Sequence, residues 1–186
     1  MATYVQPTPW AGPGRVTRFL REDVAGRRTP DAMKVPLVET GIPVAPRLIE
    51  PVTRQRDAGP SLLTSGGPLH RLTEQADPDA PAERSSFGVE PQTGTVHFVL
   101  PDGEARFANS GTGPWPDTLH RYGTHVTTSS LLGEPNGPEE HLSPAEEEQV
   151  LTELGRLSEE LREPDPTAFA GYAGFLWPEL LDRRLF

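Results

Sequence analysis

Three groups of residues carry types that could do chemistry: the glycines of Asn109-Ser110-Gly111-Thr112-Gly113-Pro114-Trp115-Pro116, the five histidines, and the glutamates of the 143–162 stretch. A glycine-rich loop that opens a helix can cradle a phosphate on its backbone N–H groups. Such a loop needs GxxxxGK followed by Ser or Thr, or GxGxxG on a strand-to-helix turn. Gly111 and Gly113 have no third spaced glycine, no lysine follows them, and Lys34 is the only lysine of the chain. The stretch is therefore expected to be a flexible insertion between a strand and the helix that covers it.

The histidines are His70, His97, His120, His125 and His141. His120 and His125 lie five residues apart, which on a helix separates them by roughly 140°, so they cannot chelate as an i, i+4 pair would. No metal site is expected. His97 falls on the outward face of an expected strand and is read as a partner contact, with an ordinary surface histidine as the competing reading. There is no cysteine, which excludes disulfides, thiolate metal sites and cysteine nucleophiles. No GxSxG elbow is present. The carboxylates of 143–162 fall on a solvent-facing side of a helix, where burial cannot tune their acidity for catalysis. Neither a catalytic residue nor a cofactor is expected.

What remains is recognition. Glu147, Glu148, Glu153, Glu159 and Glu160 are read as a docking face for a basic partner, against the plainer reading of solvated charge. Of the three tryptophans, Trp177 before Pro178 looks like a core anchor at a helix start. Trp115, in the glycine-rich stretch, is the aromatic candidate for an interface hot spot.

The elements that must position these residues can be traced along the chain. Residues 1–14, with three prolines and two glycines, read as an irregular lead-in, and 15–186 as one domain. Thr29-Pro30 starts a helical turn over 30–34, and Pro36 is expected to interrupt it before a restart that Gly41 stops. Leu48-Ile49 and Ser61-Leu62-Leu63 are each read as short strands, and 74–84 as loop. Strands are expected over 85–90, 95–100 and 104–108, joined by Pro91-Gln92-Thr93-Gly94 and Pro101-Asp102-Gly103 turns. Val96, Phe98 and Leu100 should face a core with His97 opposite; Ala105 and Phe107 should share a face, with Glu104 and Arg106 on the other.

A helix beginning at Trp115-Pro116-Asp117 carries Leu119, Tyr122 and Val126 and ends by Gly133. The clearest helix follows. Ser143 is its N-cap, Pro144 its first residue and Glu146 completes a capping box, after which Val150, Leu154, Leu157 and Leu161 form one apolar stripe. Short helices are expected from Asp165-Pro166, with Phe169, and from Trp177-Pro178 to Leu180-Leu181.

Composition agrees with a single folded domain. The 22 prolines and 18 glycines imply long, punctuated loops. No apolar run approaches the roughly 18 residues that span a bilayer, and the N-terminus MATYVQPTPW has neither a basic nor an apolar export segment, so a cytoplasmic protein is expected. Net charge is −10 and unevenly spread: residues 1–84 carry 11 Lys and Arg against 10 Asp and Glu, and residues 85–186 carry 6 against 17. Such a field repels nucleic acid and favours basic protein partners.

Several stretches resemble a known family. VTRFLREDV and PLVETGIP near the start, FGVEPQTGTVHFV in the middle, FANS after it, and DPTAF with FLWPELL near the end are similar to the SUKH superfamily, in its fourth group of bacterial immunity proteins. Gly94 and Val96 hold matching places. Asn109-Ser110 is similar to the point where the family's chain leaves its sheet, although GTGPWP intervenes here before the helix. The resemblance implies an α+β fold with a curved, mostly antiparallel sheet packed by helices. It implies a non-catalytic role in binding and neutralising a nuclease- or deaminase-type toxin. A regulatory or scaffolding role for the same fold, or small-molecule binding, are the alternatives.

Overall fold

The computed structural model describes residues 16–43, 62–73, 75–76, 84–129, 132 and 143–182. Its centre is the meander that strand alternation predicts. β-branched and aromatic residues favour extended backbone, and the turns between them supply the required φ angles. Numbered in chain order, the described strands are β1 (Val16–Thr17), β2 (Ile42–Pro43), β3 (Leu62–Thr64), β4 (Gly67–Arg71), β5 (Gln75–Ala76), β6 (Arg84–Val89), β7 (Val96–Val99) and β8 (Ala105–Asn109). β6, β7 and β8 pair antiparallel, with Phe87 opposite Phe98 and Phe98 opposite Arg106; a register shift lies between Val96 and His97. Gly94 closes the first turn at φ +78, and a Cβ there would come within 2.6 Å of Met33 Cγ, so only glycine fits.

β4 extends this sheet beside β6, and β3 forms a hairpin with β4, giving the order β3-β4-β6-β7-β8 with β5 alongside β6. The sheet curls into a half-barrel, and β1 and β2 pair separately. β5 falls where loop was expected, and β4 where no element was assigned. The Gly67-Pro68 start of β4 reads as a turn in one dimension, and β4 is held on one side by the β3 hairpin, Leu62 opposite Leu69, and on the other by β6, His70 with Val89 and Arg71 with Gly88. Leu62-Leu63 is a strand as expected; Leu48-Ile49 lies outside the described residues.

The helices are α1 (Arg21–Ala25), α2 (Asp31–Glu39), α3 (Pro114–Thr128), α4 (Pro144–Arg162) and α5 (Leu176–Asp182), with a 3₁₀ turn at Pro166–Phe169. α2 corrects the expectation of a break at Pro36. The helix runs through it, with Thr40 N–H and Gly41 N–H both bonded to the Pro36 carbonyl at 3.1 and 3.0 Å. Pro36 and Leu37 are buried, and that burial outweighs the single backbone bond a proline forfeits.

One face of the sheet carries Phe87, Val89 and Val96 into the main core, where Phe87 meets Phe98 at 5.0 Å and Trp115 at 5.1 Å between ring centroids. The helices supply Leu119, Tyr122, Leu157, Leu161 and Trp177. The other face has its own small cluster of Val99, Leu62 and Leu69, with Ala105 packed against it, where the β3–β4 hairpin folds over. A Cβ on Gly88 would sit 2.9 Å from Leu62 Cδ1 and Leu69 Cβ, so the curl depends on its absence. Arg106 lies opposite Phe98 and pairs with Glu179 of α5, both side chains largely buried. That pairing explains a charged residue on the helix-covered face.

Candidate protein-binding surface

α4 presents the main acidic feature, and its sequence sets its orientation. Ser143 caps the first turn: its Oγ accepts from Glu146 N–H at 3.4 Å, and Glu146 Oε2 accepts from Ser143 N–H at 2.8 Å. The hydrogen bonds from Ser143 hold the Glu146 carboxyl below the usual glutamate range. Val150, Leu154, Leu157 and Leu161 are all buried, which fixes the outward faces.

Those faces separate the five candidate glutamates into two sets. Glu153 and Glu160 turn toward α3. Glu153 accepts a hydrogen bond from Ser129 Oγ, and Glu160 lies 3.6 Å from His125 Nδ1 and 3.4 Å from Arg156 Nε. Glu147, Glu148 and Glu159 are exposed and have no ion pair among the described residues. They are three and four residues from Leu151 and four from Gly155, so they share the opposite side of the helix.

His97 and Trp115 are not part of this surface. His97 is half-buried on β7, edge-on to Phe107 at 6.0 Å. Burial lowers its pKa below the ordinary histidine value, with Glu90 opposing that shift. Trp115 corrects the expectation of an interface hot spot: its ring is 0% exposed, inside the first turn of α3 against Phe87. A fully buried ring cannot meet a partner. Its spacing carried the signal, because 115, 119, 122 and 126 repeat at steps of four, three and four, the same stripe that buries Leu119, Tyr122 and Val126.

The glycine-rich joint is likewise packed rather than flexible. Thr112 Oγ1 donates to the Met33 carbonyl, and Gly111 and Thr112 are both buried. A Cβ on Gly111 would come within 3.1 Å of Met33 Sδ. There is no phosphate cradle here, because α2 fills the space.

Beside the joint is a buried polar knot that sequence reasoning did not isolate. Asn109, 0% exposed, donates to Asp165 Oδ2 and Thr118 Oγ1, each at 3.2 Å. Ser110 N–H donates to the same Asp165 oxygen at 2.6 Å. Trp177 Nε1 donates to the Ala108 carbonyl at 2.9 Å and reaches Asn109 Oδ1 at 3.3 Å. Thr167 Oγ1 donates to Asp165 Oδ1. FANS, DPTAF and FLWPELL thus meet at one point, tying β8, α3, the 3₁₀ turn and α5 together. Asn109, Thr118, Asp165 and Trp177 are buried, and the bonds among them hold these elements in place.

Among the described residues, no three His, Asp or Glu side chains converge as a metal site would require, and no helix is long and apolar enough to cross a membrane. His141 lies outside the described residues. No curated protein and no solved structure matches the chain. The model of the SUKH-4 immunity protein family does match, over residues 8–183. Together with the α+β architecture and the convergence of those three motifs, this places the chain in the SUKH-4 immunity protein family.

Proposed function

We propose that this protein is a stoichiometric binder that neutralises a nuclease- or deaminase-type toxin by covering its active site or substrate channel, and that it performs no chemistry itself. The family supports the immunity role. The observation that carries the finer reading is the acidic side of α4, where Glu147, Glu148 and Glu159 are exposed with no ion pair among the described residues, within a half-chain of charge −11. An enzyme acting on nucleic acid needs a basic channel, and a negative protein surface competes for it while raising the encounter rate. The same charge disfavours nucleic acid as a direct ligand. A cysteine-free chain suits the reducing cytoplasm, where we place this encounter.

Mixing the purified protein with the toxin it protects against tests the reading. A one-to-one complex is expected, with an association rate that falls as salt rises. A toxin that stays fully active beside a molar excess of this protein would overturn it.

A further inference from the structure

α4, the 3₁₀ turn and α5 enclose an open groove of about 370 Å³ whose floor is apolar: Leu151, Leu154, Phe169, Pro178 and Leu181, with Tyr172 at one side. Leu151 is 54% and Tyr172 55% exposed, so two of the five large exposed hydrophobics among the described residues line one feature. Single exposed apolar residues are ordinary; a pair lining one mostly apolar groove is not. The volume is at the low end of the about 300 to 1,000 Å³ typical of ligand sites, and the groove is open to solvent. It suits one or two large side chains of a polypeptide segment better than an enclosed metabolite.

The charge around it selects among occupants. Glu148 and Glu147 precede Leu151 by three and four residues, and Glu159 follows Gly155 by four, so all three flank the groove along α4. Asp182 is in the lining, where its Oδ2 accepts from the Tyr172 hydroxyl. The one cation in the lining is Arg162, and its guanidinium lies over the Phe169 ring at 5.4 Å. A second copy of this chain would bring these carboxylates against their like. A basic segment gains from all of them.

We propose that this groove is the docking site for a cationic segment of the toxin, with one large apolar side chain seated between Leu151 and Tyr172 and Lys or Arg on either side against Glu147, Glu148 and Glu159. This rests on the immunity reading for the identity of the partner, but the groove's preference can be measured without it.

Two arms keep the failures apart. In the first, the full chain is titrated with the capped peptide Lys-Lys-Phe-Lys-Lys while backbone amide shifts are followed by NMR. Shifts should concentrate at Leu151, Gly155, Gly171 and Tyr172, weaken at least fivefold when Phe is replaced by Ala or Lys by Glu, and vanish in Leu151→Asp. Shifts elsewhere, or indifference to the peptide's Phe, would overturn the proposal. Deleting Arg183-Arg184-Leu185-Phe186, whose chemistry also suits the groove, should leave peptide affinity within twofold; a large gain would make that segment the resident occupant and likewise overturn it.

In the second arm, toxin binding by Leu151→Asp and Tyr172→Ala should weaken at least tenfold, whereas Leu20→Asp, at another exposed apolar position, should bind as the unaltered protein does. An unchanged Kd in both groove variants would dismiss the groove and leave the immunity reading intact. Failure of the unaltered protein to bind any toxin would dismiss that reading, and the peptide arm alone would then decide the groove. Leu151 and Tyr172 are exposed, so both variants should fold; thermal melting checks this.

Discussion

Asp165 shows how much one buried carboxylate can hold. It accepts from Asn109, Ser110 and Thr167, which belong to two distant parts of the chain. Asp165→Ala leaves the Asn109 amide and the Ser110 N–H without that acceptor, and should cost about 2 to 4 kcal/mol of stability, read from a shift in denaturation midpoint. Trp115→Ala should cost about 3 to 5 kcal/mol through its cavity, while the folded fraction keeps its affinity for the partner, because the ring never reaches the surface. Had the ring been a hot spot, affinity would fall first. Two histidines give a pH signature. Burial lowers the pKa of both His97 and His120, so the folded state binds protons less readily than the unfolded chain. Their stabilising effect is complete above the unfolded-state value of about 6.5 and is lost as pH falls below it toward the lower folded values. The urea midpoint of His97→Gln should therefore fall less than that of the unaltered protein between pH 7.5 and pH 5.5, so that a deficit present at pH 7.5 narrows on acidification.

α4 was the element most legible in the sequence, because cap, first-turn proline and apolar stripe are all local signals and agree with each other. The two-sided use of its glutamates was not legible. Which side faces α3 depends on where His125 and Ser129 arrive, and only tertiary packing fixes that. The distinction is testable: Glu147→Lys with Glu148→Lys and Glu159→Lys should slow association with the partner about tenfold or more at low salt, the deficit shrinking as salt rises. Glu153→Gln should leave association nearly unchanged and slightly lower the melting temperature. β4 and β5 escaped the sequence for a related reason. Strands of two to five residues carry little local preference, and β4 and β5 both complete their pairing on β6. Gly88 is the hinge of that arrangement: Gly88→Ala would drive a methyl into Leu62 and Leu69, loosening the β3–β4 hairpin before the rest of the sheet, visible as faster amide exchange at Leu69 and His70.

Across the whole molecule, the motifs that most resemble the family bind the chain to itself. FANS, DPTAF and FLWPELL close the polar knot, and the PQTG turn packs Gly94 on Met33 of α2. The architecture is thus readable from motifs that pack inward, whereas the surface proposed for recognition is marked by exposure, charge and the groove beside α4. This division suits a scaffold whose interior is constrained and whose outer faces are free to meet different partners. On the proposed reading, binding alone accounts for protection, and the ratio of the two proteins measures it. With the toxin held far above its dissociation constant, residual toxin activity should fall linearly with added protein and reach zero at equimolar mixing, independent of incubation time. Activity that continues to decay at a tenth of an equivalent, each molecule disabling many toxins in turn, would contradict the account at its centre.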